Sequence, residues 1–352
     1  MSIVNIKSIV VVIFFFITAP VCGQKGVLVM KNGDRLTCDV KGLNGGVLDV
    51  SIDYVDGTVS VDWAKVARIE SNLLLILRTQ DGSTYTGRVS TAEAKAGESL
   101  QIEVAETAGE KVVLDSSQII GIYPTAEKFL DRLNGDISLG FTYAKGNQAT
   151  QLNLSSTVEY PTDRWLAKVD FSSIRSSSTG VDASTRNQIG LSGFRLLRRK
   201  NYFYTGGFNF LQSSAQGVSS QTTFGGGIGR FLKNTNQTRI YAVAGAAWQR
   251  TKYEQSNSPL GTQNAAAALI KGDVKVSTFK KTKLSADANL LPVFSEPGRV
   301  FFRGNASYYL KIFGDLSWNI SLYGNWDNRP PSGLSGSDYG SSTGLTWSFG
   351  NW

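Results

Sequence analysis

From Gly135 onward the sequence alternates apolar and polar residues in segments of about ten, and no helical pattern interrupts them. Ile137, Leu139, Phe141 and Tyr143 interleave with Ser138, Gly140 and Thr142, and Leu152, Leu154, Val158 and Tyr160 follow. Trp165, Ala167, Val169 and Phe171 enclose Leu166, Lys168 and Asp170, and Tyr202, Tyr204, Gly206, Phe208 and Phe210 form another face. Leu316, Trp318, Ile320, Leu322 and Trp326 point away from Ser317, Asn319, Ser321 and Asn325. A period of two places each set on one face of a strand. In hydrocarbon every unpaired backbone N–H or C=O costs several kcal/mol, so a sheet made of such strands enters a membrane only by closing on itself.

Twelve segments carry this signature, near 136–146, 149–160, 164–175, 186–198, 201–212, 220–232, 238–252, 263–279, 283–291, 299–312, 316–327 and 339–350. Their connections alternate in length. Compact ones fall at 161–163, 199–200, 234–237, 280–282 and 313–315; longer ones at 176–185, 213–219, 255–262, 292–298 and 328–338. Only the first, 145–148, is short where a long loop is expected. Short turns at one end, long loops at the other and an even strand number are the pattern of an outer-membrane β-barrel. The expected fold is therefore all-β, a twelve-stranded antiparallel transmembrane barrel over residues 134–352.

Composition agrees with a chain thin in charge and rich in turns: 37 glycines, 11% aromatic and 18% charged residues, against about 25% charged in ordinary soluble domains. Residues 1–23 read as a secretory signal, with Lys7 before the apolar run Ile9 to Ile17 and small residues Val21, Cys22 and Gly23 ahead of Gln24. Lipidation of Cys22 is the weaker alternative, since Pro20-Val21 is a poor approach to a modified cysteine. Cleavage after Gly23 leaves Cys38 alone, so no intramolecular disulfide is expected. No other stretch approaches the roughly 18 apolar residues of a transmembrane helix.

The segment before the barrel reads as a tandem repeat of about 50 residues. Residues 24–72 carry strand, Asn32-Gly33 turn, strand to Gly42 and further strands ending at Ile69; residues 73–123 repeat the order with Asp81-Gly82 and Gly87. Each copy has the size of an SH3-like or LSm-like β-unit, too small to build a core alone, so the two are expected to pack together. Residues 124–133, "PTAEKFLDRL", read as a linker helix with Pro near its start.

The last segment, "GLTWSFGNW", alternates Leu345, Trp347 and Phe349 before Trp352. It reads as the closing strand, with these four residues as the candidate signal to outer-membrane assembly machinery. "LPVFSEPG" (Leu291 to Gly298), "YGNWDNRPPSG" (Tyr323 to Gly333) and "STGLTWSF" (Ser342 to Phe349) resemble the last strands of the YdiY-like, salt-induced outer-membrane proteins, a family of unknown function. The resemblance covers about Gly135 to Phe349. It implies an outer-membrane barrel linked to salt or osmotic stress, without assigned catalytic residues; the tandem N-terminal units depart from its simplest members.

Histidine is absent from all 352 residues. That removes Ser-His and Cys-His catalysis and the usual zinc sites, so neither an enzyme nor a cofactor is expected. "FGGGIGR" (Phe224 to Arg230) lacks the strand-to-helix context of a phosphate loop and reads as close strand packing. Charge is unevenly divided: residues 24–133 hold 12 Lys and Arg against 16 Asp and Glu, and residues 134–352 hold 23 against 12. Part of the basic excess lies at short turns (Arg198, Arg199, Lys200; Lys280, Lys281, Lys283), suited to lipid headgroups or to docking the acidic N-terminal units. Nucleic acid is not an expected partner. Eight charges fall in the inward phase as candidate lumen-facing residues: Lys168, Asp170, Lys271, Asp273, Lys275, Asp287, Arg303 and Lys311. They suit either a narrow, anion-leaning channel or a plug of mutually neutralising pairs. The alternative to a channel is a structural anchor, resident in outer-membrane lipid, whose periplasmic units bind a protein or peptidoglycan.

Overall fold

The computed structural model describes residues 26–55, 57–92, 100–106, 109–125, 132–144, 149–162, 164–197, 201–253, 261–278 and 282–349. The expected signal segment and most of the expected linker helix lie outside them.

Nine strands precede the barrel: β1 (Gly26–Met30), β2 (Arg35–Asn44), β3 (Val47–Ser51), β4 (Thr58–Asp62), β5 (Val66–Thr79), β6 (Thr84–Thr91), β7 (Gln101–Glu106), β8 (Lys111–Asp115) and β9 (Ile119–Pro124). The repeat is visible in the pairing. The first copy closes when β1 pairs with the first half of β5, Val27 opposite Glu70; the second closes when the last half of β5 pairs with β9, Leu75 opposite Pro124. The boundary between copies falls inside β5, one continuous strand shared by both units.

Each copy also carries a 3-10 turn at the same place, and the same residue type starts both. The Asp62 carboxylate accepts the Ala64 N–H at 3.1 Å, and the Asp115 carboxylate accepts the Ser117 N–H at 2.7 Å. Trp63 in the first turn donates through Nε1 to the Ser116 carbonyl in the second at 3.0 Å. One core serves both copies: Leu43, Leu48 and Ile69 from the first meet Leu75, Leu77, Ile102 and Ile122 from the second, all essentially solvent-free. Pooling two small apolar faces is how units of this size become stable. Cys38 lies in that core, and burial raises its thiol to about 11, with Asp39 adding to the shift. It is an inert packing residue.

The remaining twelve strands form a closed antiparallel barrel in chain order. They are β10 (Asn134–Ala144), β11 (Ala149–Pro161), β12 (Trp165–Ser178), β13 (Val181–Leu196), β14 (Tyr202–Ser213), β15 (Val218–Asn234), β16 (Thr238–Tyr253), β17 (Thr262–Ser277), β18 (Thr282–Pro292), β19 (Val300–Phe313), β20 (Leu316–Asp327) and β21 (Ser337–Phe349). β21 closes on β10, with Ile137 opposite Trp347 and Leu139 opposite Leu345.

Alternation sorts the faces as the sequence predicts. Leu139, Phe141, Trp165, Ile228 and Leu322 are more than half exposed on the outside, a surface that water would not tolerate and lipid covers. Polar partners meet inside: the Ser138 and Thr346 hydroxyls at 2.8 Å, and Asn153 Nδ2 donating to Ser342 Oγ at 2.7 Å. The glycines of "FGGGIGR" lie in β15, where a Cβ at Gly229 would enter the ring of Phe203, a fully buried side chain. Around that ring Phe194, Phe231 and Tyr241 pack with centroids 4.9 to 5.8 Å away and wedge β13 to β16 together.

One connection differs from expectation. The loop predicted over 176–185 is a tight turn, Thr179-Gly180 with Gly180 at φ 79°, because β12 and β13 run past it and pair up to Ser178 opposite Val181. Its serines and threonines read as loop formers alone, but a partner strand satisfies their backbone groups and holds them extended.

Candidate functional site: a bridged lumen and its capped mouth

The N-terminal units sit on the short-turn end of the barrel and touch described residues in or beside each of its five short connections. Arg78 Nη2 donates to the Thr162 carbonyl at 2.9 Å after β11. Gly82 lies against the Leu197 carbonyl and Asn201 between β13 and β14. Asn234 Nδ2 donates to the Gln80 carbonyl at 3.3 Å, Gly46 meets Gln237, and Gly45 meets Ser277 at the end of β17. Lys311 Nζ, at the end of β19, donates to Ser60 Oγ at 3.1 Å, and Ser60 in turn donates to Asp49 at 2.8 Å. The contacts are polar and small, made by loop tips that Asn44-Gly45-Gly46 and Asp81-Gly82 shape; Gly45 and Gly82, at φ 61° and 85°, let the backbone approach the rim.

Burial raises the Asp49 carboxyl above the ordinary carboxylate range, while the Ser60 hydrogen bond and Lys311 pull the other way. A carboxyl that holds its proton more tightly when folded adds stability at low pH and loses it as pH rises through its folded pKa. Taking pH from 7 to 4 is therefore expected to raise the urea midpoint of the N-terminal units more in the natural chain than in Asp49→Asn. Equal slopes would remove Asp49 from the account.

Inside the barrel, side chains reach from wall to wall. Arg303 on β19 donates through Nε to Asn325 at 3.2 Å, then crosses the lumen, Nη2 meeting Gln221 on β15 at 3.0 Å and Nη1 meeting Asn209 on β14. Arg186 on β13 pairs with Asp338 on β21 at 3.1 Å, Ser213 on β14 donates to the same carboxylate at 2.9 Å, and the guanidinium lies 4.8 Å from the Tyr323 ring. These bridges join opposite walls. A third network closes the long-loop end: Arg299 grips Asp327 through two nitrogens, at 2.7 and 3.1 Å, and also reaches Glu296 at 2.9 Å and Gln263 at 3.1 Å. A two-pronged guanidinium on a buried carboxylate is both strong and directional.

Between the bridges and the capped mouth lies a chamber of about 400 Å³. Six of the eight predicted inward charges line it: Lys168, Asp170, Lys271, Asp273, Asp287 and Arg303. Lys168 pairs with Asp170 at 2.9 Å, and Asp287 accepts from Asn289 at 3.2 Å and Asn305 at 3.3 Å. The other two stand lower: Lys275 borders the seam beneath the N-terminal units, and Lys311 is the contact to Ser60. Of the predicted assembly residues, Leu345 and Trp347 are half-exposed on the outer face, Phe349 packs against Trp347 at 5.7 Å, and Trp352 lies outside the described residues. Most of the basic turn residues do so as well, Lys283 excepted, so the seat of the N-terminal units is described through other side chains.

Sequence reasoning missed Arg186, Asp338, Arg299 and Asp327. Arg186 and Asp338 were available from phase, since each falls on the polar side of its strand. Arg299 follows Pro297-Gly298, a turn signal, and nothing local says that it folds back onto Asp327.

A closed, even-stranded barrel with an apolar exterior, a polar interior and no described helix long and apolar enough to cross a membrane is an outer-membrane-type β-barrel. Residues 137–349 match the family described as "Protein of unknown function, DUF481", and the chain belongs to that family. No curated protein sequence is similar to it. Solved structures similar to it include the translocator domain of the autotransporter NalP from Neisseria meningitidis, at 11% identity over 61% of this chain and 87% of that one, TM-score 0.35. The NanC porin matches at 11% identity over 60% and 98%, TM-score 0.37, and another porin at 12% over 92% and 98%, TM-score 0.29.

Proposed function

We propose that this protein is a resident of the bacterial outer membrane whose barrel is closed at rest and anchors the duplicated β-unit on the periplasmic side. What carries the reading is the pair of wall-to-wall bridges, Arg303 to Asn209 and Gln221, and Arg186 with Ser213 to Asp338, above a mouth whose rim the N-terminal units touch in or beside each short connection. Short turns face the periplasm in barrels of this class, which supports a periplasmic cap. Among the described residues β4 and β8 are paired on one side only, so each unit offers a strand edge to an envelope protein or to peptidoglycan. Lipid and the assembly machinery are the remaining partners of the reading. The expectation of no catalysis and no cofactor rests on the missing histidine. The tie to salt or osmotic stress is carried by the family resemblance alone.

A small anion-leaning channel is the second reading, favoured by the five Lys and Arg among the eight inward charges. It requires the cap and the arginine bridges to move. Planar-bilayer recordings on the refolded full chain separate the two: no steady conductance above the lipid background is expected, and a steady anion-selective current would restore the open channel.

A further inference from the structure

The barrel closes through its shortest ladder. β10 and β21 pair at six positions, from Gly135 opposite Phe349 to Gly140 opposite Gly344, and stop there, although β10 runs on to Ala144 and β21 begins at Ser337. Every other neighbouring pair among the twelve strands holds eight positions or more. At the next shortest, between β17 and β18, the loop after β18 covers the bare edge: Val293 bridges Ala267, and the Phe294 N–H donates to the Ala266 carbonyl at 2.7 Å.

The stop has a cause in the sequence. A Cβ on Gly140 would stand 2.6 Å from the Thr343 carbonyl oxygen, and one on Gly344 would strike the Leu139 carbonyl, so the two facing glycines let the strands cross closer than other residues allow. Beyond the crossing, β11 meets β21 through side chains that reach past β10: Gln151 Nε2 donates to the Ser341 carbonyl at 3.1 Å and Asn153 Nδ2 to Ser342 Oγ at 2.7 Å. Thr142, on the inward phase, is exposed, and Phe141 beside it is 61% exposed. The wall is cleft on its long-loop half. Inside the cleft, Asn153 and Ser342 also line the chamber of about 400 Å³, a volume in the range of small-molecule pockets. Outside it, Phe141, Leu152 and Leu345 face lipid. Strand edges in hydrocarbon demand polar company, so the occupant that fits is amphipathic. Four Lys or Arg and four Asp line the chamber, a balance that suits a head carrying both signs.

We propose that the cleft between β10 and β21 is a lateral port, through which the zwitterionic head of a phospholipid enters the chamber while its acyl chains stay in the bilayer. With the cap at one end of the lumen and the Arg299 network at the other, the cleft leads sideways from the chamber into lipid. The proposal rests on the reading that the barrel is closed at rest.

Fluorescence quenching of the refolded full chain in phospholipid vesicles tests it. A bimane label goes on Ser342→Cys at the cleft or on Thr223→Cys, in the same chamber on β15 across the barrel, both in a Cys22→Ala background with Cys38 buried. Heat-modifiable mobility on gels must stay unchanged in both variants, which shows that the barrel still folds. Phosphatidylcholine carrying a nitroxide high on its acyl chain is expected to quench most of the Ser342→Cys signal and little of the Thr223→Cys signal. Equal quenching at the two sites, or stronger quenching by the phosphatidylglycerol analogue, overturns the proposal. A second pair of variants reads the cleft without lipid. S138C/T346C, below the glycines, should oxidise to a disulfide, and T142C/S342C, opposite one another only if the ladder continued, should keep free thiols; disulfides in both overturn the port as well. Steady conductance would count against the closed lumen alone, because quenching and crosslinking read the wall and not the pore.

Discussion

Arg299→Ala is expected to destabilise the long-loop end of the barrel by about 3–5 kcal/mol, the cost of leaving a buried carboxylate without its cation. Asp327 is the carboxylate concerned. Arg299 is 2% exposed and Asp327 10%, so water cannot replace the lost partner without opening the end of the barrel. The same change strips Glu296 and Gln263 of their contact and removes the guanidinium that lies 4.7 Å from the Phe301 ring. Limited proteolysis between β18 and β19, together with urea unfolding of the refolded chain, measures it: cleavage at 293–299 should accelerate and the midpoint should fall. Arg299→Ala with an unchanged cleavage rate and midpoint would show that the network is ornamental. Removing both charges, as Arg299→Met with Asp327→Leu, should recover much of the loss, since neither group is then stranded.

Leu139→Arg is expected to cost about 2–4 kcal/mol, the depth-dependent penalty of a cation on the lipid face near mid-membrane. Leu139 is 58% exposed, lies in the middle of β10 and is flanked by Leu154 and Leu345 on the neighbouring strands. In a soluble sandwich with that face in water the same substitution would cost little. Ser285→Arg is the control: its side chain lines the chamber, among charges and polar groups. The folded fraction in lipid vesicles, read by heat-modifiable mobility, should fall for Leu139→Arg and hold for Ser285→Arg. The opposite order would turn the barrel inside out.

The barrel was legible because its signal is periodic and one-dimensional. Alternation at Ile137, Leu139 and Phe141 needs no knowledge of any partner to say which face each residue takes, and twelve strands appear where twelve segments were read. It cannot say who meets whom across the lumen. Arg303 is in phase to point inward, yet Asn209 and Gln221 are 94 and 82 positions away, and only closure brings β14 and β15 opposite β19. The misread stretch at 176–185 has the same origin: serine and threonine accept either loop or strand, and the ladder between β12 and β13 decides.

The tandem units were legible from their two Gly turns, and the sharing of β5 was not, since a strand that ends one copy and begins the next carries no break to read. Net charge offered docking of the units on the barrel only as the alternative to lipid-headgroup contact. In the described residues it rests on single hydrogen bonds, Arg78 to the Thr162 carbonyl, Asn234 to the Gln80 carbonyl and Lys311 to Ser60, in which Arg78 and Lys311 each meet a neutral acceptor and no ion pair crosses the seam among them.

Whether the duplicated unit covers the mouth of a membrane-immersed barrel is tested most directly by one crosslink. An added Cβ at Gly45 would lie 2.8 Å from that of Ser277, so the Gly45 loop must yield by about an ångström for the two Cβ atoms to reach disulfide spacing, with Gly45 on the N-terminal units and Ser277 on the barrel rim. In full-length G45C/S277C recovered from outer-membrane fractions, a disulfide between these positions should form in most molecules and be absent from either single variant. Recovery of the double variant in the soluble fraction, or membrane-bound protein with both thiols free, would contradict the account.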